Sequence, residues 1–176
     1  MGATPEDLFA RLDELGIATS THEHPPLHTV EESQALRGEI AGAHSKNLFL
    51  KCKKDNLWLV VALEDTPVDL KTLHRRIGSG RLSFGKPDLL REVLGIEPGS
   101  VTPFALMNDT DRRINVVFDE ALLANDTLNF HPLTNTATTT IATEDLLKFI
   151  AACGHEPMRV VLADAAADGL ETEGAR

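Results

Sequence analysis

Three short segments carry residue types that could act together on an activated carbonyl or a phosphate. The first is Lys46-Asn47, read as the start of an apolar strand. A lysine there can blunt a sheet edge. It can also be aimed from a rigid strand into a pocket, to meet a phosphate or a developing oxyanion. The second is Gly99-Ser100-Val101-Thr102-Pro103. Gly99 permits close backbone approach and Pro103 stiffens the chain, so amides between them can point at a carbonyl oxygen. The same five residues also fit a plain surface turn. The third is His131-Pro132 with Asn135 close behind. Its histidine can be structural or can line a site.

Other constellations are weaker. His22 and His24 lack the further ligands that a metal site needs. Cys153 and His155 are two residues apart at a helix end, where side chains rarely face each other, so a thiol–imidazole pair is not expected. Asp109, Asp111, Asp119 and Glu120 match no metal loop and read as solvated turns. The sequence has no GxSxG elbow, no HExxH motif and no GxxxxGK[ST] loop. The residues alone lead to an α/β domain with an oxyanion or phosphate site, and to no cofactor or metal.

Charge adds a second theme. Seventeen Lys and Arg against 27 Asp and Glu give a formal charge of -10, which argues against a general nucleic-acid coat protein. The distribution is uneven. Lys71, Arg75, Arg76, Arg81, Lys86 and Arg91 share their segment with one acid, Asp88, and Lys51 and Lys53 add to Lys46. Phosphates could dock on such a surface through salt-sensitive contacts, although ordinary solvated helix faces would read the same way. Cys52 and Cys153 have no CxxC spacing, and both read as free thiols in a reducing compartment. With no signal-like start and no run of roughly 18 apolar residues, the expected location is the cytoplasm.

The elements that must position these residues follow from caps, breakers and periodicity. Thr4, Pro5 and Asp7 open a first helix, with Leu8, Leu12 and Leu15 on one face and Gly16 at its exit. A strand over 17–23 stops at His24-Pro25-Pro26. Thr29 and Glu32 suggest a second capping box, for a helix towards Leu36. Strands over 47–53 and 57–63 flank a turn at Asp55-Asn56. Helices are expected from Asp69 through Ile77 and from Pro87 to Leu94, each closed by a glycine. A loop from Pro98 to Pro103 precedes a buried strand over 114–118. Strands over 128–130 and 138–141 surround His131-Pro132. A helix starts at Thr143, and a strand over 158–162 comes last. The resulting fold class is α/β: a curved, barrel-like mixed sheet surrounded by helices. Residues 1–163 form the domain, and 164–176 form an acidic, flexible tail. The regular alternation and glycine-rich first turn of a dinucleotide fold are missing.

At Lys46-Asn47 after Gly42-Ala43-His44-Ser45, at GSVTP and at HPLTN, the sequence resembles the YbaK/ProX aminoacyl-tRNA editing-domain family. The resemblance spans the chain from its first helix to about Ala163, and it is nearest to the freestanding ProX type. It implies hydrolysis of an aminoacyl ester without a protein nucleophile, on mischarged tRNA and alanyl-tRNA(Pro) foremost; cysteinyl or seryl esters, or binding without turnover, are the alternatives. By the same resemblance, Lys46 and Asn47 hold the terminal adenosine and its phosphate. Backbone amides of Gly99, Ser100, Val101 and Thr102, braced by Pro103, stabilise the oxyanion. His131 shapes the amino-acid pocket, and the ribose 2′-hydroxyl helps to orient or activate water. Lys71, Arg75, Arg76, Arg81 and Lys86 are our candidates for contact with the rest of the tRNA. A transient contact with prolyl-tRNA synthetase is conceivable, no membrane is involved, and the oligomeric state is left open with a monomer favoured.

Overall fold

The computed structural model describes residues 2–26, 35, 40–53 and 56–162. The expected capping box at Thr29, the turn residue Asp55 and the acidic tail fall outside them. Helix α1 (Pro5–Glu14) begins as its sequence dictates. Thr4 Oγ1 accepts from the Asp7 N–H at 3.1 Å, the Asp7 carboxylate accepts from the Thr4 N–H at 2.9 Å, and Leu8 and Leu12 are buried. Strand β1 (Thr19–Glu23) is followed by the antiparallel pair β2 (Ala43–Cys52) and β3 (Asn56–Leu63). Helix α2 (Leu70–Ile77) is capped by Asp69, which accepts from the Lys71 N–H, and closed by Gly78 in the left-handed region.

Then come β4 (Ser83–Phe84), α3 (Pro87–Leu94), and two 3₁₀ turns at Pro98–Ser100 and Pro103–Asn108. β5 (Ile114–Asp119), α4 (Glu120–Leu123), β6 (Thr127–Phe130), β7 (Ala137–Ala142), α5 (Thr143–Ala152) and β8 (Met158–Val160) complete the described chain. The strands run in the order β1-β7-β6-β2-β3-β5-β8, with β4 paired to β2. Pairings β2–β6, β3–β5 and β5–β8 are parallel and the others antiparallel. The sheet is mixed as expected, and the described residues do not close it into a barrel. β1 and β8 stand at opposite ends, and no pairing among the described residues joins them.

Each face of the sheet has its own core. Phe49, Leu59, Val61 and Phe118 pack with α1, α3 and α5, where Phe104 stands edge-on to Phe130 and Phe149 at 5.8 and 5.6 Å. Leu50, Trp58, Val60 and Val117 face the other way, against Leu73 and Ile77 of α2. Burying those two α2 side chains contributes about 1.5–3 kcal/mol each, enough to hold a short helix whose opposite face is charged.

β2 carries the largest departure from the expected elements. It begins at Ala43, because Ala43 and His44 pair in parallel with Leu128 and Asn129 of β6. Lys46 and Asn47 therefore lie inside the strand rather than at its start. β6 pairs with β2 at 43–44 and β4 pairs at 50–51, while β3 takes 45–52 along the other edge. Among the described residues the sheet has a gap between β6 and β4, beside residues 45–48. The Phe49 carbonyl accepts from the Gly85 N–H at 2.9 Å. By the two-residue period of an antiparallel ladder, the Asn47 N–H and C=O point into that gap.

Candidate active site

Adjacent residues of a strand face opposite sides, so Lys46 and Asn47 do not enter one pocket from the same direction. Lys46 is opposite Ala62 and shares its face with Leu48, Leu50 and α2. Asn47 shares the other face with Phe49. There it lines a pocket of about 170 Å³ together with Phe49, Gly85, Leu90, Pro98 and Val101. Strand β2 and the GSVTP loop are thus brought together, although 51 positions separate Asn47 from Pro98.

The Asn47 amide is held by a short chain of hydrogen bonds. Ser45 Oγ donates to the Asn129 carbonyl at 3.1 Å, so it accepts from Asn47 Nδ2 at 3.2 Å. That direction leaves Asn47 Oδ1 as the buried atom, and it has no partner among the described residues. A buried acceptor without a donor costs about 1–3 kcal/mol. Beside a pocket, it is a place where a ligand can donate.

The loop after α3 divides its amides between fold and site. The Ser100 N–H donates to the Glu97 carbonyl at 2.9 Å, so Ser100, expected from the sequence to be an amide donor, is committed to the 3₁₀ turn. Thr102 is fully buried, and its hydroxyl accepts from the Phe104 N–H at 3.2 Å, starting the next turn at Pro103. Gly99 is exposed and borders the third segment: a Cβ there would be 3.5 Å from Asn135 Nδ2. The three segments singled out by sequence therefore converge, β2 on the loop through the pocket and the loop on the 131–135 segment through Gly99.

His131 continues β6 and is half-buried. Its Nδ1 must carry a proton to bond the Ala137 carbonyl at 3.0 Å, which leaves Nε2 as acceptor. Burial lowers its pKa, the Ala137 bond opposes this, and nearby His24, whose ring centroid is 6.4 Å away, lowers it further. The ring is therefore neutral at pH 7. His24 is itself fixed, donating from Nδ1 to the Pro25 carbonyl and accepting at Nε2 from Thr138. A wider hollow of about 630 Å³ lies on the other side, among Glu6, Phe9, Glu23, His24 and Pro132.

The remaining constellations are structural. Asp109 is 2% exposed and accepts from the Arg113 and Ile114 amides; Asp119 is 0% exposed and accepts from those of Leu63 and Ala121. They are turn-holding carboxylates of the interior, where solvated turns were expected. Burial pushes the Cys153 thiol up to about 11, which leaves no nucleophilic thiolate at neutral pH. His155 faces Asp109 at 3.3 Å instead. Among the described residues no group of three His, Cys, Asp or Glu could hold a metal, and both cysteines are free.

Of the basic segment, Lys71, Arg75, Arg81 and Lys86 are exposed and Arg76 is half-buried. Arg91 is spent on Glu97 and Asp88, at 2.9 and 3.0 Å. Three residues at the pocket had no sequence signal strong enough to find them. Phe49 reads as core, Phe84 belongs to a strand too short to show a period, and Gly85 follows that strand. The basic residues around SFGKP were the one hint.

The chain belongs to the aminoacyl-tRNA editing domain family of YbaK/ProX type, whose model matches residues 24–149. It is 40% identical over 149 residues to the prolyl-tRNA editing protein ProX of Acetoanaerobium sticklandii, an alignment covering 84% of this chain and 91% of that one. It is 41% identical over 157 residues to the prolyl-tRNA synthetase associated domain-containing protein 1 of Mus musculus, covering 86% and 92%. A solved structure described as that of a candidate trans-editing enzyme for prolyl tRNA synthetase shares the fold, with a TM-score of 0.66 and 20% identity over 91% of this chain and 98% of that one. No helix among the described residues is long and apolar enough to cross a membrane.

Proposed function

We propose that the protein hydrolyses mischarged tRNA in trans, with alanyl-tRNA(Pro) as its substrate. The observation that carries this reading is the shared pocket of Asn47 and Val101 at the gap in the sheet, in a chain of the editing family. Its volume of about 170 Å³ is below the roughly 300–1,000 Å³ of pockets that enclose whole small molecules. Such a pocket takes a fragment, as a small aminoacyl group on a long RNA would require. The name of the bacterial relative supports a proline-tRNA substrate.

The chemistry asks little of side chains. An aminoacyl ester is already activated, so holding a water and stabilising charge suffice. Water adds to the carbonyl carbon, and the oxyanion forms against the Gly99 and Val101 amides, since that of Ser100 is turned to Glu97 and Thr102 is fully buried. Collapse expels the tRNA 3′-oxygen, which takes a proton, and free alanine leaves. The ribose 2′-hydroxyl orients the water. Asn47 Oδ1 accepts from the substrate, Pro103 fixes the loop, and neutral His131 shapes the amino-acid side of the site. Lys46, on the α2 face, takes the terminal phosphate, and Lys71, Arg75, Arg76, Arg81 and Lys86 continue the tRNA surface there.

The test is ester loss from alanyl-, cysteinyl- and prolyl-tRNA(Pro), with wild type and Lys46→Ala. Loss of alanine, sparing of proline and a large Lys46 effect support the reading. Cleavage of cysteine alone moves the substrate. Binding without any turnover overturns the hydrolase.

A further inference from the structure

Phe84 is 60% exposed, the most exposed large apolar side chain among the described residues. Its position is built rather than incidental. β4 is only Ser83–Phe84, and it is pinned to β2 by the pairs Leu50–Phe84 and Lys51–Ser83. Gly85 follows so close to Phe49 that a Cβ there would be 2.3 Å from the Phe49 ring, so only glycine permits this approach. Opposite Leu50, Phe84 belongs to the face of Lys46 and α2, yet it also lines the pocket of Asn47 and Val101. It therefore borders the gap left in the sheet among the described residues. Exposed Arg81 and Lys86 flank it within three residues.

An aromatic face in water, with cations on both sides and a fragment-sized pocket behind it, is the arrangement that binds single-stranded nucleic acid. Bases stack on the ring and the backbone follows the charges. We infer that Phe84 is the stacking platform for an unpaired base of the substrate's 3′ end, just before the aminoacylated nucleotide. That nucleotide carries its ester through the gap into the pocket, while Lys46, Arg81 and Lys86 meet the phosphates. This rests on the proposed function and extends it by naming the residue that reads single-strandedness.

The experiment measures affinity for uncharged tRNA(Pro), and for the same tRNA lacking its four 3′-terminal nucleotides. The proteins are wild type, Phe84→Ala, Phe84→Leu and Phe84→Trp. Thermal melts verify folding, which an exposed side chain should not disturb. The expected result is a loss of about fivefold to a hundredfold on intact tRNA for the Ala and Leu variants. Phe84→Trp should retain affinity, and no variant should change binding of the truncated tRNA. On aminoacylated tRNA the loss should fall mainly on KM. Wild-type affinity for the Leu variant, equal losses on truncated tRNA, or no binding by wild type overturns the inference. So does dispersal of a dimer by Phe84→Ala with RNA affinity intact, which would make the ring a self-association contact. Ester turnover by wild type is scored separately, so failure of the hydrolase reading is distinguishable from failure of the stacking platform.

Discussion

Replacing Asn47 with Leu should make the free protein more stable and the enzyme worse. The side chain makes one hydrogen bond, from Nδ2 to Ser45 Oγ at 3.2 Å, and buries one acceptor, Oδ1, without a partner among the described residues. Losing the bond costs about 0.5–1.5 kcal/mol, and removing the orphaned acceptor returns about 1–3 kcal/mol. Ser45 keeps its donation to the Asn129 carbonyl, and a leucine at 47 would lie beside Phe49, Leu90 and Val101. The net gain is about 1 kcal/mol, which in a chain of this size raises Tm by about 2–4 °C. In the complex the balance reverses. A substrate donor that met Oδ1 is left unpaired at a cost of about 1–3 kcal/mol, so kcat/KM falls roughly tenfold to a hundredfold. Differential scanning fluorimetry and single-turnover deacylation read the two effects. A drop in Tm of more than about 3 °C with activity within twofold of wild type would falsify the assignment of Oδ1 as a ligand acceptor, making Asn47 a strand-fixing residue.

Further outcomes follow from the geometry. Lys46→Ala should cut deacylation and lower the slope of log affinity against log salt by about one, and Arg75→Glu with Arg81→Glu should weaken tRNA binding with a further loss of salt dependence, both read by binding titrations in graded salt. Gly85→Ala must displace Phe49 or β4, with an expected cost of about 1–3 kcal/mol and a loss of tRNA affinity, read by thermal melts and binding titrations. Cys153→Ser should deacylate at the wild-type rate, and the thiol should react slowly with disulfide reagents, because with its pKa near 11 only about one thiol in ten thousand is ionised at pH 7. His131 and His155 have lowered folded pKa values, chiefly through burial. The unfolded chain therefore binds their protons first, so stability should be full above about pH 6.5 and fall below it, by at most about 1.4 kcal/mol per pH unit for each; melts from pH 7.5 to 5.5 should show this, and a His155→Gln variant should flatten the trend.

Local chemistry made much of this legible. The Thr4–Asp7 box, Asp69 with Gly78, and Pro87 with Gly95 set three helices within a residue of their observed ends, because caps act through bonds between near neighbours in the chain. Features created by distant pairing were not legible. β2 starts four residues early because Ala43 and His44 pair with β6 and Ser45 and Lys46 pair with β3; β6 is 84 positions away at Ser45 and Asn129. Strand β4 exists because Gly85 fits against Phe49. In each case the decisive partner lies in another part of the sequence, which a local pattern cannot name.

The same limit explains why Lys46-Asn47 looked like a single motif. In sequence they are one dipeptide; in a strand they serve two faces. A solid sheet would keep those faces apart, and a ligand could reach only one of them. Here β6 leaves β2 after His44 and β4 joins it at Leu50, so among the described residues the intervening edge is open where the two residues lie. The phosphate side and the ester side of one substrate can then meet neighbouring residues of one strand without the substrate crossing a hydrogen-bonded ladder. In the mechanism we propose, the gap lets Lys46 act on charge from the basic face while Asn47 and the Gly99 loop act on the ester from the pocket. Closing it, by lengthening β4 towards β6, should abolish turnover even with every proposed catalytic group in place.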